Sequence, residues 1–424
     1  MRDEFSIDGE RLMRELFELA AMTDAEPAAH GTAVTRIVFS ERDLEARAWL
    51  KALAAAEGLA VREDAVGNTF VRLEGMAPEL AAVATGSHTD AIPDAGMYDG
   101  TVGVLGGLEA MRALKRSGVR LRRSVELVVF TSEEPTRFGI GCLGSRLMSG
   151  VLDPAEADRL CDRDGATLAE VRKRAGFAGE LAPVRLAEGH YAGWVELHIE
   201  QGPLLERKAS EGGGASIGIV TEIAAPAGYR FTVEGLGGHA GALLMPDRRD
   251  ALCAAAEVIL AVERCALATG SVDTVATVGT CGVYPGAVNS VPSRVMLELD
   301  IRDTDPERRE GVMRDLRGRN AEIAGGRGVR IGEEMVNADL PARSSEEMVA
   351  VIQETCAELG IASSRMVSRA YHDSLFMARI APIAMIFIAC RGGVSHRPDE
   401  FAEAGDILRG VRVLTATLAR LASR

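Results

Sequence analysis

Three of the chain's seven histidines, His88, His198 and His396, sit in segments dense with glycine and acids. His88 lies in GSHTD, just past an apolar run at 80–85. Asp99 follows in MYDG, a glycine-flanked loop. Glu133 and Glu134 follow the apolar run VELVVF. His198 lies in ELHIEQG after another short apolar run, and His396 lies in GGVSHRPDE after a run at 384–389. All of these side chains fall at or just past the ends of apolar strands, the edge where an open α/β sheet binds its ligands. Three imidazoles with two carboxylates suit two divalent ions, with one carboxylate bridging. If Glu134 is a ligand, Glu133 can stay uncoordinated, take a proton from water and return it to a leaving amine. Taken singly, each residue has a plainer account: a surface histidine, a solvated Glu-Glu step, an Asp-Gly turn. Their joint recurrence at strand ends is what those accounts leave unexplained.

The elements that must position these residues read as follows. Residues 1–60 are helical by apolar spacing at Leu12, Leu16 and Leu19, and again at Leu44, Ala48, Leu50 and Leu53. Strands surround a Gly67-Asn68 turn at 61–73. Further strands are expected at 80–85 and 124–131, with a helix at 103–117 between them. Continuous apolar strands alternating with helices point to an α/β fold with a largely parallel sheet covered on both sides. After a glycine-rich stretch, EGGGASIG at 211–218, the texture changes. Strands at 229–234, 273–279 and 294–302 alternate with helices at 248–265 and 307–323, the pattern of an inserted α+β sandwich. A helix at 345–359, a strand at 384–389 and a helix at 405–421 complete the chain. The reading is a discontinuous catalytic domain at 1–217 and 335–424, with an inserted domain at 218–334.

Composition narrows the function. With 48 basic and 62 acidic residues the chain has a formal charge of −14. Nucleic acid is therefore not an expected partner. A small anionic substrate needs cations concentrated at its site. The N-terminus has no signal-peptide pattern, and the longest apolar run, at 380–390, is too short to span a bilayer, so no membrane partner is expected. The seven cysteines are scattered with no Cys-x-x-Cys pair, as expected of reduced thiols in the cytoplasm.

The long segments GSHTDAIPDAGMYDGTVGVLGGLEA, VVFTSEEPTRFGIGCLGSR, ELHIEQGPLLE, GGHAGALLMPDRRDA and GGVSHRPDE resemble the amidase branch of the dinuclear-metal peptidase superfamily M20. That branch includes N-carbamoyl-L-amino-acid hydrolases, β-ureidopropionases, allantoate amidohydrolases and ureidoglycolate amidohydrolases. The resemblance implies an aminopeptidase-like catalytic domain with an inserted, ferredoxin-like lid that dimerises. It implies His88 and His198 as terminal ligands of one metal, Asp99 as the bridge, and Glu134 and His396 as terminal ligands of the other. Glu133 is similar to the family's general base. His239, in GGHAG, is similar to the histidine that reaches the partner subunit's active site and steadies an oxyanion. Asn289 and Arg302 resemble the substrate-binding pair, with Arg302 facing a carboxylate. Gln201 resembles a polar contact to the substrate.

Near the C-terminus the branch mostly carries a SGAGHDA-like motif, and this chain has SRAYHDSLFMA instead. Arg369 and Tyr371 replace small glycines, which implies a smaller and more polar pocket. That variant resembles the ureidoglycolate-cleaving members, so Tyr371 and His372 are expected to hydrogen-bond a short ureido acid. The implied activity is hydrolysis of (S)-ureidoglycolate to glyoxylate, ammonia and carbon dioxide in purine catabolism. CRGGVSH looks more like the allantoate and carbamoyl-amino-acid enzymes, which remain alternatives. The ureide-degrading relatives use manganese, while the donor set also accepts zinc, cobalt or nickel.

Overall fold

The structure is a computed structural model that describes residues 5–210 and 215–424. The first four residues of the expected glycine-rich hinge, 211–214, lie outside the described residues. By its contacts the chain forms two units. One runs to Thr221 and takes up again at Arg343–Ser368 and His372–Arg424; the other is Glu222–Ala342 with Arg369–Tyr371.

The first unit is built on a nine-stranded sheet. Its strands in chain order are β1 (Ala60–Glu63), β2 (Thr69–Leu73), β3 (Ala82–His88), β4 (Val125–Phe130), β5 (Tyr191–Ile199), β6 (Ile217–Ile223), β7 (Ala342–Arg343), β8 (Ser363–Ser368) and β9 (Ile383–Ile388). They lie side by side as β7-β6-β9-β5-β3-β4-β2-β1, with β8 beside β6. The four central strands β9, β5, β3 and β4 are parallel. Antiparallel neighbours flank them, β6 on β9 and the β1–β2 hairpin on β4. The sheet is therefore mixed, not largely parallel as its apolar runs suggested. The cause is local: the Gly67 turn is too short for a crossover and can only join antiparallel strands.

Strands β3, β4 and β9 are buried at every residue, as a sheet covered on both faces requires. Leu127, Val129, Val195 and Leu197 join one apolar core with Leu105, Leu108, Val411 and Leu414 of the helices Thr101–Ser117 and Ala404–Ala422. Side chains alternate along a strand. Phe130 and Trp194 therefore point to the opposite face, where their rings lie 5.3 Å apart. By the same period His198 shares that second face with Trp194.

The second unit is a four-stranded antiparallel sheet carrying two helices. In space the strands run Val275–Tyr284, Arg294–Asp303, Ala225–Glu234, Arg330–Ala338. With the helices Ala251–Ala268 and Pro306–Arg327 this is the β-α-β-β-α-β order of ferredoxin-like units. Each helix starts on an aspartate: Asp250 accepts from the amides of Leu252 and Cys253, and Asp305 from those of Glu307 and Arg308. Phe231, Val233, Leu297 and Leu299 pack under Val258, Val262, Met313 and Leu316. The last strand runs on to Ala338, past the 335 at which the sequence placed the return to the catalytic domain. No helix among the described residues is long and apolar enough to cross a membrane.

Leu197 is fully buried on the central strand, one residue before His198. Leu197→Ala is expected to cost about 2–5 kcal/mol in chemical denaturation. A loss under about 1 kcal/mol would mean that this core collapses around the deletion.

Candidate metal centre

The parallel strands all end at one edge of the sheet, and each end supplies a donor. His88 is the last residue of β3, and His198 is the second-last of β5. Glu133 and Glu134 follow β4 after a sharp turn at Ser132, whose φ is 56°. His396 follows β9, with φ at 57°. Asp99 arrives from the loop before the helix Thr101–Ser117, and a helix N-terminus favours a negative charge there. Gln201, just past β5, also has a positive φ of 55°. Three of the six non-glycine residues with positive φ among the described residues are thus at this edge, where strain of this kind marks a built site.

Asp99 sits in the middle. Its Oδ1 lies 3.1 Å from His198 Nε2 and 3.6 Å from His88 Nε2. Its Oδ2 lies 3.1 Å from His396 Nε2, which is itself 3.4 Å from Glu134 Oε1. Two donor triads result, His88-Asp99-His198 and Asp99-Glu134-His396, each with its donor atoms within 4.8 Å of one another. They share Asp99, one oxygen to each.

The donors fit divalent ions. Ligand atoms about 2.1 Å from an ion, at tetrahedral or octahedral angles, lie about 3.0–3.4 Å from each other, close to the spacings here. His88 Nδ1 is 2.9 Å from the carbonyl of Asp90, and His198 Nδ1 is 2.9 Å from the carbonyl of Ile199. Those contacts place a proton on each Nδ1 and turn each Nε2 toward Asp99, the atom whose lone pair a metal would take. The carboxylates also crowd one another. Burial, with Asp99 close by, pushes the Glu134 carboxyl up to about 7. Burial raises Glu133 well above its usual range, with Glu134 adding to the effect. Cations would relieve that repulsion.

Glu133 stands apart from both triads. Its Oε2 is 3.8 Å from His88 Nε2 and its Oε1 accepts from Cys142 Sγ at 3.4 Å. Its neighbour Glu134 belongs to the second triad, so the two adjacent glutamates have different surroundings. Asp90 arranges this: its carboxylate accepts from the backbone N–H of Glu133 at 3.2 Å and of Glu134 at 3.0 Å. Gly100 packs against His88, and a Cβ there would come within 2.5 Å of His88 Nε2. Its φ of 65° also disfavours any side chain.

Of the remaining candidates, Gln201 and His372 adjoin these donors and four others lie in the second unit. Gln201 donates to Asp99 Oδ2 at 2.8 Å and to Ser395 Oγ at 3.2 Å. His372 is buried; its ring lies 4.4 Å from that of His198, and its Nε2 is 3.2 Å from Ser368 Oγ. His239, Asn289, Arg302 and Tyr371 all belong to the second unit. His239 and Asn289 meet in a two-stranded ribbon, Gly238–His239 against Ser290–Val291, with the amide of Ala240 donating to the Asn289 carbonyl. The His239 side chain is exposed, and its Nδ1 accepts from the amide of Gly241. Arg302 lies at the far end of the strand Arg294–Asp303, paired with Asp300 and 5.4 Å from the Tyr371 ring. Eight residues of strand, about 27 Å, separate the two ends, so Asn289 and Arg302 do not meet within one unit.

Asp90, Glu400 and Ser395 did not stand out in the sequence. Asp90 is two residues beyond His88 and Glu400 four beyond His396; that proximity was their one signal.

Comparisons with known proteins show the family of the chain. The model for peptidase family M20/M25/M40 matches residues 84–420. The chain belongs to that family. It is 48% identical to the ureidoglycolate hydrolase of Arabidopsis thaliana, over 99% of this chain and 88% of that protein. It is 39% identical to an N-carbamoyl-L-amino acid amidohydrolase of Geobacillus stearothermophilus, over 98% of this chain and 99% of that one. A crystal structure of AtUAH in complex with glyoxylate superposes with a TM-score of 0.89 at 47% identity, covering 99% of both chains.

The His396 imidazole, hydrogen-bonded to Asp99, is pushed up to about 9. A metal must displace that proton, so its affinity is expected to rise between pH 6 and 9. Calorimetric titration in buffers of different ionisation heat reads the released proton; an affinity flat with pH would contradict the assignment. In the metal-free chain the sign is reversed. The raised His396 contributes stability below pH 6.5 that is lost as pH rises through about 9. Gly100→Ala is expected to abolish metal binding or folding, read by metal content and thermal melting.

Proposed function

We propose that the chain is a metal-dependent amidohydrolase that cleaves the ureido group of (S)-ureidoglycolate. The observation that carries the chemistry is one carboxylate, Asp99, shared by two donor triads, with Glu133 beside them and a member of neither. Its likeness to a ureidoglycolate hydrolase over nearly the whole chain supports the substrate. So does the SRAYHDS variant, which puts Tyr371 against Arg302.

His88, Asp99 and His198 would hold one divalent ion, and Asp99, Glu134 and His396 the other. Bound there, such ions lower the pKa of water and polarise a carbonyl. Manganese is our choice, by the usage of the ureide-degrading relatives. Glu133 takes the proton of the attacking water as its oxygen bonds to the ureido carbon. It then delivers that proton to the terminal nitrogen as the C–N bond breaks and ammonia leaves. The carbamate left behind loses carbon dioxide. The resulting hydroxyglycine loses a second ammonia and becomes glyoxylate, so one water is consumed overall. Asp90 keeps the Glu133 backbone fixed during both transfers. Arg302 is the natural partner of the substrate carboxylate, and Tyr371 and Gln201 supply further polar contacts. His372, packed on the His198 ring, acts on that ligand as well as on the substrate side.

We further propose a homodimer with the inserted unit as its lid and dimerisation domain. His239 and Asn289 lie about 27 Å along a strand from Arg302, too far to share one small substrate within a single unit. A second copy would supply the His239 end, where the imidazole steadies the oxyanion. The seven free cysteines fit a reducing cytoplasm.

Manganese-loaded protein should release glyoxylate and ammonia from ureidoglycolate, with little ammonia from allantoate or an N-carbamoyl-L-amino acid. Preference for either alternative would leave the metal chemistry standing and overturn the substrate. Glu133→Gln is expected to lower kcat by about 10²–10⁴-fold with metal content unchanged. Near-normal turnover would overturn the mechanism. Chelation should abolish activity, and manganese should restore it.

A further inference from the structure

We propose that Glu400 is the positioning residue that holds Asp99 between the two donor triads. This rests on the metal reading above and concerns a residue that takes no part in either triad. Glu400 is 2% exposed. Its Oε1 accepts from the backbone N–H of Tyr98 at 2.9 Å and of Asp99 at 3.1 Å. Its Oε2 accepts from Ser395 Oγ at 2.8 Å. One carboxylate therefore ties the loop that carries Asp99 to the loop that carries His396, across a sequence separation of 301 residues.

The tie closes into a ring. Ser395 Oγ also lies 3.2 Å from Gln201 Nε2, which donates to Asp99 Oδ2 at 2.8 Å. Glu400 thus fixes Asp99 from its backbone side, while Gln201, braced by its second bond to Ser395, fixes the oxygen that faces His396. An acidic side chain four residues from the nearest donor in sequence, buried against a second anion, needs such a purpose: its burial beside Asp99 is otherwise unfavourable.

A second observation is independent of these bonds. Glu400 fills a cradle over Gly96, where a Cβ would come within 2.3 Å of the Glu400 Cβ and 2.5 Å of its Oε1. Gly96 is in the same DAGMYDG loop as Asp99. The loop leaves out a side chain at the point where the glutamate enters.

Asp99 must present one oxygen to each triad, so a loop free to rotate would keep one set of donors and spoil the other. The prediction is therefore about stoichiometry. Metal-stripped protein is titrated calorimetrically with manganese, and metal content is measured after gel filtration. Wild type should take up two ions per chain. Glu400→Ala should keep one and bind the other about 10–100-fold more weakly, with kcat falling further than KM changes. Glu400→Gln, which retains an acceptor for both amides, should stay near wild type. Ser395→Ala, which removes one of the three bonds, should fall between them. Gly96→Ala should weaken the same ion although the carboxylate is still present.

Two ions bound by Glu400→Ala as tightly as by wild type, with kcat unchanged, would overturn the proposal. If Glu400→Ala does not fold by circular dichroism, the other three variants decide: wild-type titrations for both Ser395→Ala and Gly96→Ala would overturn it equally. A wild type that binds no second ion would instead overturn the dinuclear reading.

Discussion

The structure depends on the burial of Asp99 with its two oxygens committed to different neighbours. Burial by itself opposes the ionised form, but hydrogen bonds from His198, His396 and His88 outweigh it and hold the carboxyl well below its usual range. A carboxylate so placed must be held on every side, because a small rotation trades one contact for another. The surrounding devices serve that end: the Gly100 close approach, the Gln201 amide, the two backbone amides bound to Glu400, and the N-terminus of the helix Thr101–Ser117. Asp90 does for the Glu133-Glu134 turn what Glu400 does for Asp99. Each is a buried acid that accepts from two successive backbone N–H groups and so positions another acid.

The sheet explains why donors so far apart in sequence can converge. Four parallel strands end at one edge, and the residue at each end inherits that position. Where a donor must turn sharply out of the strand direction, the backbone enters the left-handed region, at Ser132 and at His396. Cys142, next to Glu133, does the same. The cost of such conformations is about 1–3 kcal/mol each, and an apolar core on both faces of the sheet is what can sustain it.

The second unit has a different logic. A ferredoxin-like sheet is stiff and long, so its two ends can present different chemistry. His239 and Asn289 occupy one end; Arg302, Arg369 and Tyr371 occupy the other. Arg369 is paired with Asp273, and its carbonyl accepts from Arg302. The variant motif SRAYHD thus has two parts. Arg369–Tyr371 packs with the inserted unit, while His372 begins the segment that supports His198.

Much of this protein was legible in its residues because the relevant signals are local. Strand ends with histidine and acid, the Gly67 turn and the helix-starting aspartates all act within a few residues. Apolar periods located five long helices between residues 101 and 422 to within a few positions. Residues 1–60, read as helical, instead hold the helices Gly9–Ala20 and Glu41–Ala56 with the strand Val34–Arg36 between them. The short helices Leu143–Ser149, Pro154–Arg159, Leu168–Arg174 and Asp373–Met377 carried too few turns to show a period. Ile217–Ile223 and Arg330–Ala338 were not legible. The first is a short run beside the glycine-rich stretch, and the second is an exposed edge strand with little apolar pattern. Nor did the sequence separate a parallel centre from antiparallel flanks, since burial looks alike in both. Tertiary structure alone decided which Asp99 oxygen faces which triad, that Glu400 and Asp90 anchor the site, and that Asn289 lies a strand's length from Arg302. The reason is physical. These are hydrogen bonds and separations between segments up to about 300 residues apart, and no local preference encodes which of several equally good partners such a group will meet.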